Sequence, residues 1–146
     1  MEMLFGILHA MEITETQKQE IVTLARKYGL SLVVLFGSQA TGKTHPKSDI
    51  DIGVIAESDL DYQNTYQLEQ ELAPIFRRRD IEAVNLNSVS PLLLFRVASQ
   101  GRLLYEAHAG EFIKLKVRAL RRYVETAPLR KMERPRLEHF LQKHGG

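Results

Sequence analysis

The chain has 146 residues, of which 44% are hydrophobic and 26% are charged, as expected for one folded domain with a sizeable core. It contains no cysteine, which excludes a disulfide scaffold and a thiolate zinc site and is consistent with a reducing compartment. No apolar run approaches the roughly 20 residues of a membrane span, and the opening stretch lacks the basic start of a signal peptide. We therefore expect a cytoplasmic protein that does not associate with a membrane.

Basic charge is concentrated in the last third of the chain. The formal net charge is +2, but from Glu111 to the C terminus ten Lys or Arg residues outnumber four acidic ones, and the remainder of the chain is acidic. This excess favours an acidic partner surface or nucleic acid, and an exposed helix face without a partner explains it equally well. We favour an acidic protein surface over direct binding of nucleic acid.

The first predicted elements are a helix and two strands. The helix begins after Thr14, whose spacing to Gln17 is that of a capping box, and it ends at Gly29. Residues 30–36 are apolar and β-branched almost throughout, which predicts a strand that is buried on both faces. Residues 50–56 form the next predicted strand.

Two helices alternate with a third strand in the middle of the chain. Apolar residues at helical spacing predict a helix over residues 62–78, and a strand is predicted over residues 81–86. Ser90 and Pro91 have the order of an N-cap and a first helical residue, so they begin another helix, which Gly101 ends.

Three further elements complete the predicted fold. The sequence RLLYE at residues 102–106 predicts a short strand, and Pro135 begins a last helix. The helix between them has apolar residues at helical spacing, namely Phe112, Leu115, Ala119 and Tyr123. The alternation of strands and helices predicts an α/β or α+β domain with a mixed β-sheet flanked by helices.

Two acidic residues, Asp49 and Asp51, interrupt the aliphatic pattern at the start of the second strand. Residues i and i+2 of a strand face the same side, so the two carboxylates project together while Ile50 and Ile52 face a core. Such carboxylates repel each other unless a cation lies between them, and oxygen ligands favour Mg²⁺, with Mn²⁺ as a substitute. The alternative is that Asp49 caps a turn and Asp51 lies at an exposed sheet edge.

A glycine turn and a third acid support the cation. Gly37 lets the backbone approach a phosphate closely, and the Ser38 hydroxyl adds a hydrogen-bond donor. The polar loop over residues 39–48 can bring this turn to the aspartate pair. Glu82 places a further carboxylate in the third strand. A phosphate site beside clustered carboxylates indicates metal-assisted phosphoryl or nucleotidyl transfer.

This stretch resembles the signature of minimal nucleotidyltransferases of the DNA polymerase β superfamily. The matching positions are Gly37, Ser38, Ala40, Gly42, Ser48, Asp49, Ile50, Asp51 and Ile52. The resemblance extends over about residues 20–125 and implies a polymerase-β-like nucleotidyltransferase fold. We assign residues 1–125 to the nucleotidyltransferase domain and residues 126–146 to a basic helical tail that packs on this domain or extends from it.

The resemblance also implies roles for individual residues. Asp49, Asp51 and Glu82 would be the catalytic carboxylates and would hold two Mg²⁺ ions. Gly37 and Ser38 would bind the terminal phosphates of the nucleotide. We add two residues that border the same loop, Lys47 and Ser48, as nucleotide-binding candidates.

The chain departs from the family pattern at two positions. Glu82 stands where the family usually has Asp, which moves the carboxylate by about one methylene, and Asp80 is the alternative third carboxylate. Thr41 stands where an arginine is common, which removes one positive group from the loop.

Small proteins of this kind are often encoded beside a HEPN-family ribonuclease and neutralise it by attaching AMP from ATP to one of its tyrosines. The resemblance therefore implies a protein adenylyltransferase that acts as an antitoxin, with ATP as substrate and a cognate HEPN toxin as partner in a hetero-oligomer. Two alternatives stay open at this point. One is a nucleotidyltransferase for a small molecule or an RNA end, and the other is a catalytically silent module that binds the toxin.

Overall fold

The computed structural model describes residues 12–37, 49–131, 139, 142 and 143. Its elements in chain order are α1 Glu15–Lys27, β1 Leu30–Phe36, β2 Ile50–Ala56, α2 Tyr62–Phe76, β3 Ile81–Asn85, α3 Pro91–Gln100, β4 Arg102–Glu106 and α4 Glu111–Glu125. Each predicted helix and strand in the described ranges is confirmed to within two residues. The helix predicted to begin at Pro135 lies outside the described residues.

Local signals in the sequence place the helix ends. At the start of α1, Thr14 Oγ1 accepts a hydrogen bond from the Gln17 N–H at 3.1 Å, and Gln17 Oε1 accepts one from the Thr14 N–H at 2.9 Å. This reciprocal pair is the predicted capping box. At the start of α3, Ser90 Oγ accepts a hydrogen bond from the Leu93 N–H at 3.2 Å, as expected of an N-cap.

The four strands form one mixed sheet in the order β3-β2-β1-β4. β1 runs antiparallel to both of its neighbours, while β2 and β3 run parallel to each other. The predicted mixed sheet is therefore confirmed, and β2 is an interior strand. Within the described ranges, no helix combines the length and the apolar character needed to cross a membrane.

Helices cover both faces of the sheet. α1 and α2 pack against Val33 and Leu35 of β1, whereas α3 and α4 pack against Val34 and Phe36 on the opposite face. Successive side chains of a strand point to opposite faces, so β1 supplies a buried residue to each core in turn. This explains why nearly every residue of β1 is apolar.

The chain continues in helical conformation beyond α4 over residues 127–131. The Arg130 guanidinium lies 3.8 Å from the centre of the Tyr123 ring and donates a hydrogen bond of 2.6 Å to the Tyr123 carbonyl. The first residues of the predicted tail therefore pack on α4. The boundary between domain and tail at residue 125 stays a prediction.

Candidate active site

Three strand ends meet on one side of the sheet. In the sheet register, Asp51 of β2 pairs with Phe36 of β1 on one side and with Glu82 of β3 on the other. Gly37 follows Phe36 directly, so the glycine turn lies beside Asp51. The structure thus brings together Gly37, Asp51 and Glu82, which are separated by up to 45 positions in the sequence.

The apolar neighbours of Asp51 determine which way it faces. Ile50 and Ile52 are both 0% exposed and belong to the core that α1 and α2 cover. Asp51 therefore projects from the opposite face, where Glu82 also projects because Ile81 and Ala83 belong to the same core as the two isoleucines. Asp51 is half-buried on an interior strand, so the alternative of an exposed sheet edge is wrong for this residue.

The electrostatic environment of Asp51 is unfavourable to its ionised form. Burial raises the pKa of its carboxyl above the ordinary value, and the nearby negative charges of Glu82 and Asp49 raise this pKa further. Asp49 is exposed and directly precedes β2. Glu82 and Asp49 are therefore close enough to Asp51 to oppose its ionisation, and a cation bound beside Asp51 would relieve that repulsion.

Gly37 makes the closest approach to this carboxylate. Its φ of 76° lies in the left-handed region, and a Cβ built on it would be 2.5 Å from Asp51 Oδ2. A side chain at this position would be strained by the backbone and would also displace the carboxylate. The left-handed backbone therefore favours glycine here, and any side chain would also require the Asp51 carboxylate to shift.

The other predicted nucleotide-binding residues, Ser38, Lys47 and Ser48, lie outside the described residues. The polar loop over residues 39–48, which includes Thr41, also lies outside the described residues. Their roles stay predictions.

The alternative third carboxylate, Asp80, already has a cationic partner. Arg78 Nε donates a hydrogen bond of 2.8 Å to Asp80 Oδ1, and a second guanidinium nitrogen of Arg78 contacts Oδ2. The hydrogen bond from Arg78 lowers the pKa of Asp80 below its ordinary value. Asp80 is neutralised by the protein itself, whereas Glu82 adds to the negative charge around Asp51.

This ion pair was not predicted from the sequence, although a signal for it was present. Arg78 and Asp80 have opposite charges and are two residues apart, a separation that their side chains can span.

The donor set fits a hard divalent cation, although a complete ligand set is not preformed. Asp49, Asp51 and Glu82 offer carboxylate oxygens alone, which are the ligands that Mg²⁺ and Mn²⁺ prefer. Within the described ranges, no three acidic or histidine side chains converge closely enough to hold a metal ion. The carboxylates would therefore have to move closer together around a bound ion.

A cavity of about 600 Å³ opens at the other end of the sheet, with Tyr28, Asp59 and Glu71 among its lining residues. It lies roughly 20 Å from Asp51, since Ser58 follows that residue by seven positions along an extended chain. No residue of the carboxylate cluster lines this cavity.

The fold is that of a nucleotidyltransferase. Residues 19–109 match the family described as Polymerase beta, Nucleotidyltransferase, and the chain belongs to this family. The family resemblance and the fold class inferred from the sequence are thereby confirmed.

Similar proteins of known name are protein adenylyltransferases. The protein adenylyltransferase MntA of Aphanizomenon flos-aquae (strain 2012/KM1/D3) is 32% identical over 142 residues, which span 91% of this chain and 95% of that protein. The protein of the same name from Shewanella oneidensis is 41% identical over 76 residues, covering 52% of this chain and 54% of that one.

Similar solved structures are toxin–antitoxin complexes. A chain in the crystal structure of a toxin–antitoxin with AMP-PNP superposes with a TM-score of 0.73 at 30% identity, covering 83% of this chain and 98% of that one. A chain in the complex of the tri-AMPylated Shewanella oneidensis HEPN toxin with its MNT antitoxin gives a TM-score of 0.69 at 27% identity, covering 85% and 98%.

Proposed function

We propose that this chain is an antitoxin that transfers AMP from ATP to a tyrosine of a cognate HEPN ribonuclease toxin. The observation that carries the proposal is the meeting of Gly37, Asp51 and Glu82 at one end of a nucleotidyltransferase sheet. We infer a protein acceptor from a relative that is named a protein adenylyltransferase. The match to this chain covers 95% of that relative's length. ATP and a ribonuclease toxin are both cytosolic, so we place the protein in the cytosol.

The proposed reaction is an in-line displacement at the α-phosphorus of ATP. A bond forms between the tyrosine oxygen and the α-phosphorus, the bond to the β-phosphate oxygen breaks, and pyrophosphate leaves. Glu82 takes the proton of the tyrosine hydroxyl at a carboxylate oxygen. Asp49 and Asp51, with Glu82, would hold two Mg²⁺ ions, which would neutralise the charge that develops on the phosphates.

The glycine turn would hold the triphosphate. Gly37 has no side chain between the backbone and the Asp51 carboxylate, so phosphate oxygens and a bound ion can approach both. Ser38 and Ser48 would add two hydroxyls, and Lys47 would add a positive charge, around the same phosphates.

Intact mass spectrometry of the toxin after incubation with the chain, ATP and MgCl₂ tests this function. We expect mass increments of AMP on the toxin, and we expect Asp49→Asn combined with Asp51→Asn to abolish them. Glu57→Gln combined with Asp59→Asn is the matched control, because both residues are exposed acids at the far end of β2. An unmodified toxin after incubation with the unaltered chain would overturn the proposal.

A catalytically silent toxin-binding module is the second candidate. The features that favour it are Glu82 and Thr41, the two positions at which the chain departs from the family pattern. Full neutralisation of the toxin in cells by the Asp49→Asn, Asp51→Asn chain would support this candidate, because binding alone would then suffice.

A further inference from the structure

We propose that the outward face of α4 is the surface on which the toxin docks, an inference that takes its partner from the proposed function. Four apolar side chains form this α4 apolar face, and their exposed fractions are 67% for Ile113, 52% for Val117, 55% for Leu120 and 61% for Val124. They are spaced by four, three and four residues, so they form one continuous row along the helix.

Packing within the described part of the chain does not explain these residues. α4 already buries its other side, where Phe112, Leu115 and Ala119 pack into the core with β1 and α3. Two apolar rows on opposite sides of one helix indicate two packing partners, and only one of them lies within the described part of the chain.

Basic side chains border the α4 apolar face and indicate the charge of its partner. At 100° per residue, Lys114 and Arg121 lie along one border and Lys116 lies along the other, and all three are exposed. Lys114 has one acidic neighbour, Glu111, at 3.6 Å, and Lys116 lies over the Phe112 ring at 4.5 Å. Two copies of such a face would repel each other, whereas a partner with an apolar strip bordered by acids would complement it.

The position of α4 in the chain links the face to the toxin partner. The match to the nucleotidyltransferase family ends at residue 109, just before α4 begins at Glu111. The MntA of Aphanizomenon flos-aquae matches over 91% of this chain, and a match of that length includes residues 111–125. α4 is therefore shared with a protein adenylyltransferase and lies outside the region matched to the family at large.

Binding measurements with exposed-face variants test the proposal. We expect Val117→Glu combined with Leu120→Glu to raise the Kd for the purified toxin at least about 30-fold, measured by calorimetry without ATP. Tyr62→Glu combined with Tyr66→Glu is the matched control, because these side chains on α2 are also apolar and exposed, at 88% and 54%. We expect the control to leave the Kd within about 2-fold, and both double variants to bind ATP and Mg²⁺ as the unaltered chain does.

Charge reversal gives a second measurement that does not alter the apolar residues. Lys114→Glu, Lys116→Glu and Arg121→Glu together should slow association with the toxin at least about 10-fold at low salt and weaken its salt dependence. An association rate that is unchanged and equally sensitive to salt would contradict the acidic character of the partner surface.

Each remaining result separates this inference from the proposed function. An unchanged Kd for the Val117→Glu, Leu120→Glu variant, or no binding by the unaltered chain, overturns docking on α4. Self-association of the chain that the same variant abolishes assigns the face to a second copy and also overturns it. Toxin binding that depends on α4 but is followed by no AMP transfer supports the docking surface and refutes the enzymatic function.

Discussion

Asp51 is half-buried, and the negative charges of Glu82 and Asp49 oppose its ionisation. Gly37 allows this carboxylate to sit directly against the backbone of the turn after β1. Gly37 and Asp51 therefore form a pair in which the glycine leaves room for the carboxylate, and a bound cation would stabilise the ionised carboxylate.

Gly37→Ala should abolish AMP transfer and reduce stability by about 1–2 kcal/mol, because alanine strains the left-handed backbone and its Cβ displaces Asp51 Oδ2. Gly29→Ala is the matched control. Gly29 has a similar φ of 62°, but no atom lies within 4 Å of the position that a Cβ would take. The Gly29→Ala variant should therefore lose about as much stability as Gly37→Ala but keep its transfer activity. Thermal melts and transfer rates of both variants check this, and equal activity in the two would contradict a role for the contact with Asp51.

Glu82→Gln should reduce AMP transfer at least about 10²-fold, because a carboxylate that holds a metal ion is lost. Asp80→Asn should retain most of the transfer rate and lose stability, because the charge-assisted hydrogen bonds from Arg78 to this carboxylate are weakened. The pKa of Asp80 is lowered in the folded state, so its contribution is present above the ordinary pKa and lost as the pH falls. The opposite pattern of transfer rates would assign the third carboxylate to Asp80.

At the scale of elements, α1 and α2 are tied together by one acidic side chain. The Tyr28 hydroxyl and the Lys27 ammonium both donate hydrogen bonds to the Glu71 carboxylate. α2 also holds the edge strand, since Glu69 Oε1 accepts a hydrogen bond of 2.9 Å from the Ala83 N–H. α2 therefore positions β3, and with it Glu82, relative to the rest of the sheet.

Glu71→Gln should lower the pKa of Tyr28 from about 12 toward its ordinary value of 10.0. The decrease should be partial, because burial is the largest cause of the raised pKa and remains after the substitution. The folded pKa exceeds the ordinary value, so the unaltered chain loses stability as the pH rises from about 10 to about 12. Ultraviolet titration of the tyrosines checks this, with Tyr28→Phe identifying the signal, and an unchanged titration would show that Glu71 does not act on Tyr28.

At the scale of the whole molecule, folding brings acidic side chains from separate strands into one place before any ligand binds. The free energy of unfolding is therefore reduced by their repulsion, and a ligand that neutralises them stabilises the fold by mass action. Stability measurements consequently report on the site independently of catalysis.

MgCl₂ and ATP together should raise the melting temperature, with a stabilisation of about 2.7 kcal/mol when the nucleotide is present at 100 times its Kd. Asp51→Asn should remove most of this increase, because one metal-holding carboxylate is lost. Calorimetry of both proteins with and without the ligands checks this. An equal increase in the variant would place the nucleotide and metal elsewhere.

Without metal, the stability of the chain should fall as the pH rises from the ordinary pKa of an aspartate through the raised pKa of Asp51. The sign follows because the folded state binds this proton more tightly than the unfolded state does. Asp51→Asn should flatten the profile and make the apo protein more stable at neutral pH. Melting temperatures measured across this pH range check the prediction, and parallel profiles for the two proteins would contradict it.

Much of the fold and part of the site could be predicted from the sequence, because the signals are local. The capping box at Thr14, the Ser90 cap and the period-2 pattern around Asp51 each act over a few residues, so helix ends, strand bounds and the facing of Ile50 and Ile52 could be inferred. The motif from Gly37 to Ile52 was enough to identify the family that the match over residues 19–109 establishes.

Other features depend on which residues fold together, and only the tertiary structure decided them. The strand order β3-β2-β1-β4, the pairing of Asp51 with Glu82 and the neutralisation of Asp80 by Arg78 depend on register and on side-chain contacts. The apolar row on α4 could be seen in the sequence, but its exposure became apparent only once the opposite side was found packed against the core. The periodicity of a sequence specifies which side chains share one face of a helix or strand. Which distant strands pair with each other depends on how the elements pack, and this pairing determined the site.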